Sequence, residues 1–223
     1  TCIAPDYLLC PKNRLDGFVK AFSVAVARLY PTMAANPDYT AIVNKRQFNR
    51  LSGCLSDARE KGGHLVQINP SADLFSDTGK MPVWLVLEPS SDMTVMQEEI
   101  FGPILPIVTY RRLSEAVDYV NDRPRPLALY YFDENRERTQ SVLDQTRSGG
   151  VSINDTLAHV AQDDLPFGGI GQSGMGAYHG ETGFLTFSKV RPVFTRGRLN
   201  TTRLAWPPYG RHIQRWLYRF LLR

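Results

Sequence analysis

The sequence predicts an α/β protein whose mostly parallel β-sheet is flanked by helices. Short apolar runs, which are typical of buried strands, alternate along the chain with stretches in which apolar residues recur at helical spacing. This alternation favours a parallel sheet, because each strand needs a crossover before the next one. The 223 residues, of which 43% are hydrophobic and 22% charged, are enough for one substantial core.

The predicted elements follow this alternation along most of the chain. Strands are predicted at residues 6–10, 64–68, 81–87, 104–110, 127–132, 151–154 and 184–191. Helices are predicted at 13–30, at 39–60 in one or two segments, at 113–120 and at 134–145. Asn13 and Ser114 are the expected N-caps, since short polar side chains favour that position.

The formal net charge of +4 conceals an asymmetry along the chain. Residues 189–223 contain one Lys, eight Arg and no acidic residue, whereas the residues before them contain 17 basic and 22 acidic groups. We therefore predict one domain over residues 1–196 and a basic tail over 197–223. Such a tail can attract a membrane surface, a nucleic acid or an acidic protein surface, or it can pack on another subunit.

The cysteines and histidines predict reduced thiols, a cytoplasmic location and no metal site. Cys2, Cys10 and Cys54 lack the spacing of a zinc site, and the four histidines are scattered singly. No apolar run approaches the roughly 20 residues that span a bilayer. The first residues have no basic and apolar segments of a secretory signal, and a start at Thr predicts either a fragment of a longer protein or a processed chain.

A glycine-rich segment, Gly169–Gly174, matches the GxGxxG pattern of dinucleotide-binding loops. That pattern requires a preceding strand and an acidic residue about 20 positions later, but Pro166 and Phe167 precede the segment and no acidic residue follows Glu181. We predict instead a tight loop whose backbone lies close to a substrate or to another segment, which is where only glycine fits.

Two other features, the adjacent glutamates Glu98 and Glu99 and the residue Cys2, say little about function when each is considered alone. Glu98 and Glu99 could be an acid–base pair, but adjacent side chains on an extended segment point to opposite faces, so one is expected to be buried or to face a ligand and the other to face solvent. Cys2 could attack a carbonyl carbon if its thiolate were favoured, but a lone cysteine near a chain end is commonly inert.

Taken together and in order, the motifs resemble those of aldehyde dehydrogenases. They are Thr1–Tyr7 (TCIAPDY), Gln97–Ile104 (QEEIFGPI), Gly149–Val151 with Asn154 and Asp155, and Leu165–Gly169 (LPFGG) followed by Ser173–Gly180 (SGMGAYHG). The similarity covers residues 1 to about 191 and is strongest to the class 3 branch, which includes coniferyl and fatty aldehyde dehydrogenases. It implies the catalytic domain of that fold, with a C-terminal oligomerisation strand.

The resemblance implies a covalent mechanism. Cys2 would add to the aldehyde carbon, the thiohemiacetal would pass a hydride to NAD or NADP, and water would hydrolyse the resulting thioester. Glu99 corresponds to the carboxylate that binds the nicotinamide ribose, and Phe101 to the aromatic residue beside the nicotinamide. Asn154 and Phe167 fall where the family shapes the aldehyde tunnel, and His159 lies where class 3 sequences place a histidine near the entrance. The same residue types are also common at strand ends and in loops.

Several parts of the family's machinery have no counterpart in residues 1–223. The dinucleotide-binding domain, the general-base glutamate and the asparagine that helps to bind the alkoxide would precede Thr1 in a longer parent chain. The fragment alone is therefore expected to be inactive, because no base activates the deacylating water.

The C-terminal tail leaves an alternative function open. Arg211, Arg215, Arg219 and Arg223 recur every fourth residue beside an apolar stripe of Ile213, Trp216, Leu217, Phe220 and Leu221. This pattern predicts a short basic amphipathic helix that packs on the dimer partner, packs on the dinucleotide-binding domain of the parent chain, or lies peripherally on a membrane. The partners expected for the chain are thus a small aldehyde and a second copy of itself, with no nucleic acid. A non-catalytic oligomerisation or membrane-binding module is the alternative.

Overall fold

The structure is a computed structural model that describes residues 1–76, 78–198, 203 and 206–221. The chain divides into two compact units, Thr1–Thr186 and Phe187–Arg223. The predicted boundary near Arg196 rests on charge, whereas this division reflects packing, so the domain assignment of 1–196 and 197–223 stays a prediction.

The first unit carries the strands and most of the helices in the described part of the chain. The strands are β1 (Leu8–Pro11), β2 (His64–Ile68), β3 (Val83–Leu87), β4 (Ile104–Tyr110), β5 (Ala128–Tyr131) and β6 (Gly150–Ile153). The α-helices are α1 (Leu15–Leu29), α2 (Lys45–Glu60), α3 (Leu113–Asn121), α4 (Arg136–Gln145) and α5 (Gly180–Thr186), with α6 (His212–Leu221) in the second unit. Short 3₁₀ helices lie at Lys12–Arg14, Thr94–Met96, Ala158–Ala161 and Gly171–Ser173.

The strands form two sheets that are mostly parallel. The larger sheet has the order β1-β4-β3-β2, in which β1 and β3 pair parallel with β4 and only β2 pairs antiparallel with β3. The smaller sheet consists of β5 and β6, which are parallel. The α/β class with a mostly parallel sheet is therefore confirmed.

Helices cover both faces of the larger sheet, because successive residues of a strand point to opposite sides. In β3, Leu85 packs in a cluster with Val26 of α1, and its neighbour Val86 packs in a second cluster with Leu51 of α2. Both strand residues are fully buried. This arrangement gives β3 the continuous apolar sequence of a strand that is buried on both faces.

Asparagine caps set the first residue of two helices, which begin later than predicted. Helix α2 begins at Lys45 because the side chain of Asn44 accepts a hydrogen bond of 2.9 Å from the Gln47 N–H. Helix α4 begins at Arg136, since Asn135 accepts in the same way from Arg138 at 2.8 Å. The helical prediction for residues 39–44 was therefore wrong.

The two predicted caps, Asn13 and Ser114, were wrong. Asn13 lies inside the 3₁₀ turn Lys12–Arg14 that precedes α1, and Arg14 occupies the cap position. At α3, Glu115 takes the place of Ser114 by accepting hydrogen bonds from the backbone N–H groups of Arg111 and Arg112. A long side chain one turn into the helix can thus reach back to the same donors.

The strand predicted at residues 184–191 is not formed within the chain. Residues 184–186 belong to α5, and residues 187–197 have no regular secondary structure. Phe187, Val190 and Phe194 are nonetheless highly exposed. A strand is stabilised by the strand it pairs with, and the predicted oligomerisation strand stays a prediction.

Replacing Leu51 with Ala tests the packing between α2 and the sheet. Leu51 is fully buried, so the Leu51→Ala variant should lose about 2–5 kcal/mol in free energy of unfolding, measured by urea denaturation. Leu74→Ala is the matched control, because that side chain is 85% exposed and should change stability by less than about 0.5 kcal/mol. Equal effects of the two substitutions would contradict the described core.

Candidate active site

Cys2 lies exposed in a tight turn at the start of the chain. The turn is closed by a hydrogen bond of 3.0 Å from the Ala4 N–H to the Thr1 carbonyl. The next side chain, Ile3, is only 5% exposed, and the Cys2 thiol is free. The buried isoleucine anchors the turn and leaves the neighbouring thiol accessible to a reactant. Accessibility of this kind distinguishes reactive from structural cysteines.

Tyr130 of β5 holds the same turn from the side. Its hydroxyl donates a hydrogen bond of 2.6 Å to the Ile3 carbonyl. Burial raises the pKa of the Tyr130 phenol, and this effect outweighs the hydrogen bond with the Leu157 backbone, which lowers it. The phenol therefore stays protonated near neutral pH and keeps its ability to donate. A residue 127 positions away along the chain thus fixes the backbone beside the thiol.

Asp6 connects the segment that carries Cys2 to the loop that carries Glu99. Its carboxylate accepts a hydrogen bond of 2.9 Å from the Ile100 N–H. Burial raises the pKa of Asp6, while this hydrogen bond and the positive charge of Arg50 lower it. Arg50 also donates to the Glu99 carbonyl at 3.2 Å and to the Ile100 carbonyl. The loop backbone is therefore held on both sides.

Glu99 and Phe101 lie on this loop with their side chains exposed. Phe101 adopts a left-handed φ of 51°, which is uncommon for a non-glycine residue and costs on the order of 1 kcal/mol. The next residue, Gly102, has no room for a Cβ, because that atom would collide with Leu51 of α2. The core helix therefore supports the loop from behind, and the carboxylate and the ring remain free to contact a cofactor.

The loop after β6 places Asn154 against the end of β5. The Asn154 side chain accepts from the Asp133 N–H at 2.9 Å and donates to the Asp133 carbonyl at 3.0 Å. Its backbone, at a left-handed φ of 57°, donates to the Tyr131 carbonyl. Both polar groups of the side chain thus bind the chain itself, and the predicted contact of Asn154 with substrate remains a prediction.

His159 is buried behind the smaller sheet. Its Nδ1 lies 3.0 Å from the hydroxyl of Ser152, and its Nε2 has no hydrogen-bond partner among the described residues. Burial lowers the pKa of His159, which favours the neutral ring. The ring packs near Tyr130, at 5.9 Å between ring centroids. His159 is therefore close to the tyrosine that holds the Cys2 turn, and its predicted role at the substrate entrance remains untested.

Phe167 extends this cluster of rings towards the glycine-rich loop. Its ring centroid lies 6.0 Å from that of His159 and 5.7 Å from that of Tyr178, and its backbone exchanges two hydrogen bonds with Tyr178. The structure thus links Cys2 through Tyr130 to two of the predicted lining residues, His159 and Phe167. Asn154 is instead bonded to the turn after β5, and Glu99 and Phe101 are linked to the Cys2 segment through Asp6.

Within the predicted tight loop, Gly169 lies close to the backbone of Ser173 and Gly174 in the same loop, whereas Gly171 has open space around it. A Cβ on Gly168 would collide with the Gly176 carbonyl, and one on Gly169 with the Ser173 carbonyl. A Cβ on Gly149, at the turn before β6, would collide with the carbonyl of Gly168 itself. The glycines therefore allow two loops to pack closely beneath the ring cluster.

Tyr130, Asp6 and Arg50 are the candidate functional residues that sequence reasoning missed. Asp6 lies within the quoted motif Thr1–Tyr7, but its partner Ile100 is 94 residues away. Tyr130 has the appearance of an ordinary strand residue in the run Ala128–Tyr131. Neither periodicity nor spacing could have paired these residues, because the contacts depend on how distant segments are brought together.

Comparison with known proteins agrees with this geometry. Residues 1–193 match the sequence profile described as the aldehyde dehydrogenase family. A probable coniferyl aldehyde dehydrogenase of Pseudomonas aeruginosa is 54% identical over 225 residues, which cover 100% of this chain and 46% of that protein. The aldehyde dehydrogenase family 3 member A2 of Rattus norvegicus is 40% identical. The alignment covers 100% of this chain and 45% of that protein.

The fold has a close counterpart among solved structures. The substrate-bound state of Staphylococcus aureus AldH superposes with a TM-score of 0.80 at 39% identity, over 99% of this chain and 47% of that one. The chain spans slightly less than half the length of the relatives it matches. The match over residues 1–193, together with this fold, shows that the chain belongs to the aldehyde dehydrogenase family.

Proposed function

We propose that this chain is the catalytic part of an NAD(P)-dependent aldehyde dehydrogenase that oxidises a hydrophobic aldehyde to its carboxylic acid. The observation that carries the proposal is the exposed Cys2 thiol in a turn with a buried anchor, joined through Asp6 to the loop of Glu99. The similarity to coniferyl and family 3 enzymes favours a hydrophobic substrate, either aromatic, such as coniferyl aldehyde, or aliphatic. The longer parent chain would be the active protein.

Cys2 is the proposed nucleophile. Its thiolate adds to the aldehyde carbon, the C=O π electrons move to oxygen, and the alkoxide accepts a hydrogen bond from the Cys2 backbone N–H. NAD(P)+, when bound, supplies the hydride acceptor that makes oxidation to a thioester possible. Water then attacks the thioester carbon and releases the acid and the Cys2 thiolate.

Glu99 and Phe101 are the residues proposed to hold the cofactor. A carboxylate can accept hydrogen bonds from two adjacent ribose hydroxyls. The Glu99 side chain is exposed, and its backbone carbonyl accepts a hydrogen bond from Arg50. Phe101 offers an exposed aromatic ring two residues later. The general base and the asparagine that completes the alkoxide site would come from the upstream part of the parent, so residues 1–223 alone should turn over negligibly.

The Cys2→Ala substitution in the parent chain tests the nucleophile. Without a thiol no thiohemiacetal can form, so aldehyde oxidation should fall by at least about 1,000-fold, measured from the absorbance of the reduced cofactor. Cys54→Ala is the control, because that thiol is buried in the core and its loss should leave turnover within about threefold. Substantial activity in the Cys2→Ala variant would remove the proposed mechanism.

The Glu99→Gln substitution tests the cofactor contact. Gln cannot accept hydrogen bonds with both terminal atoms, so cofactor affinity should fall about tenfold, which corresponds to the loss of one hydrogen bond to a charged group. Glu98→Gln is the matched control, since the neighbouring carboxylate is also exposed and should change affinity by less than about twofold. Titration of each variant with the cofactor gives both values, and equal losses would contradict the assignment to Glu99.

The second unit supports a further proposal, that α6 contacts membranes peripherally, while the homodimer and the cytoplasmic location stay predictions. In α6, the exposed rings of Trp216 and Phe220 stack with 6.0 Å between their centroids. The cations Arg215 and Arg219 neighbour these residues in the sequence of the helix. A helix with one apolar and one basic face suits an anionic membrane interface. Among the described residues, no helix is long and apolar enough to cross a membrane.

Vesicle flotation tests this membrane contact. The parent chain should float with vesicles that contain anionic lipid, and the double variant Trp216→Ser, Phe220→Ser should lose most of this binding because its apolar face is removed. Phe187→Ser, at another highly exposed aromatic residue, is the control and should float like the unmodified chain. Flotation that is unchanged in the double variant would leave homodimer packing as the role of the tail.

A further inference from the structure

Both ends of a single peptide group next to Cys2 are held by hydrogen bonds. The group joins Ile3 to Ala4: its carbonyl accepts from the Tyr130 hydroxyl at 2.6 Å, and its N–H donates to the Thr1 carbonyl at 3.0 Å. Because a peptide group is planar, fixing its two ends fixes the orientation of the whole plane. The buried Ile3 side chain adds a third constraint. Cys2 therefore lies between the Thr1 carbonyl and the Ile3–Ala4 peptide plane, both of which take part in these hydrogen bonds.

Tyr130 is itself held in place by the smaller sheet. It lies directly opposite Ser152 in the parallel ladder of β5 and β6. The Ser152 hydroxyl binds Nδ1 of His159, and the His159 ring packs near the tyrosine ring. A Cβ on Gly150 would strike the His159 ring, so the histidine has little room to move. The phenol is thus a donor on a rigid element rather than on a loop.

We propose that Tyr130 is a positioning residue for Cys2, and that its hydroxyl holds the turn in the arrangement in which the Cys2 N–H can bind the developing alkoxide. The inference rests on the proposed function, in which Cys2 is the nucleophile. Tyr130 does not touch the reacting atoms and acts through the Ile3 carbonyl. Its effect is therefore geometric: a preorganised donor needs no rearrangement when charge develops on the substrate oxygen.

This role differs from a contribution to stability alone. Loss of the hydroxyl removes the hydrogen bond to the Ile3 carbonyl and the one with the Leu157 backbone, and some free energy of unfolding is lost with them, as at other tyrosines with hydrogen bonds. At Tyr130 the hydrogen bond also restrains the turn of the nucleophile. A neighbouring tyrosine in the same strand provides the comparison, because the Tyr131 hydroxyl donates to the Asp133 carboxylate at 2.8 Å.

The test compares Tyr130→Phe with Tyr131→Phe in the full parent chain. Tyr130→Phe should lower kcat for aldehyde oxidation by about tenfold or more, as small displacements of reacting groups do, and leave the cofactor dissociation constant within about twofold. Tyr131→Phe should keep kcat within about threefold. The thermal unfolding temperature of each variant is measured as well, to show that both proteins are folded under the conditions of the activity assay.

The outcomes separate this inference from the proposed function. If Cys2→Ala is inactive but Tyr130→Phe behaves like Tyr131→Phe, the positioning role is wrong and the nucleophile assignment survives. A parallel loss of cofactor affinity in Tyr130→Phe would also overturn it, since that indicates a general disturbance of the site. If Cys2→Ala keeps its activity, the proposed function itself fails.

Discussion

The hydrogen bond between the Asp6 carboxylate and the Ile100 N–H joins the two segments on which the candidate active site depends. One segment begins with Cys2 and continues into β1, and the other carries Glu99 and continues into β4. β1 and β4 are neighbours in the parallel sheet, so the segments that precede them lie at the same edge. A half-buried carboxylate is costly to desolvate unless it is hydrogen-bonded, and the backbone donor supplies that bond.

Backbone strain occurs at six non-glycine residues of the described chain, and three of them lie on the loops that carry Glu99, Asn154 and His159. Phe101, Asn154 and Leu157 all adopt left-handed φ values, although none of them is glycine. Each such residue costs free energy that packing elsewhere must offset. For Phe101 the support is the core, because Leu51 fills the space behind Gly102. For Asn154 it is the pair of hydrogen bonds to Asp133. The strain holds side chains at angles that ordinary strands and helices do not provide.

The elements that sequence reasoning predicted well are those with a strong local pattern. The strand β2 at His64–Ile68 and the amphipathic part of α2 were found from periodicity alone. The start of α2 was missed, because a single asparagine side chain decides it. The segment 184–191 has the composition of a strand, but no other strand in the described chain pairs with it. Composition shows what a strand prefers, whereas pairing depends on a partner.

By itself, the sequence determined the α/β class, the family to which the chain belongs and the candidate residues Cys2 and Glu99, because ordered motifs and local periodicity survive in the linear chain. Only the tertiary structure decided that Tyr130 contacts the Cys2 turn, that Asp6 holds the Glu99 loop and that the amide of Asn154 binds Asp133. The reason is physical: these contacts join residues 21 to 127 positions apart. Shifting a strand by one residue would turn each side chain to the opposite face, so register decides what local pattern cannot.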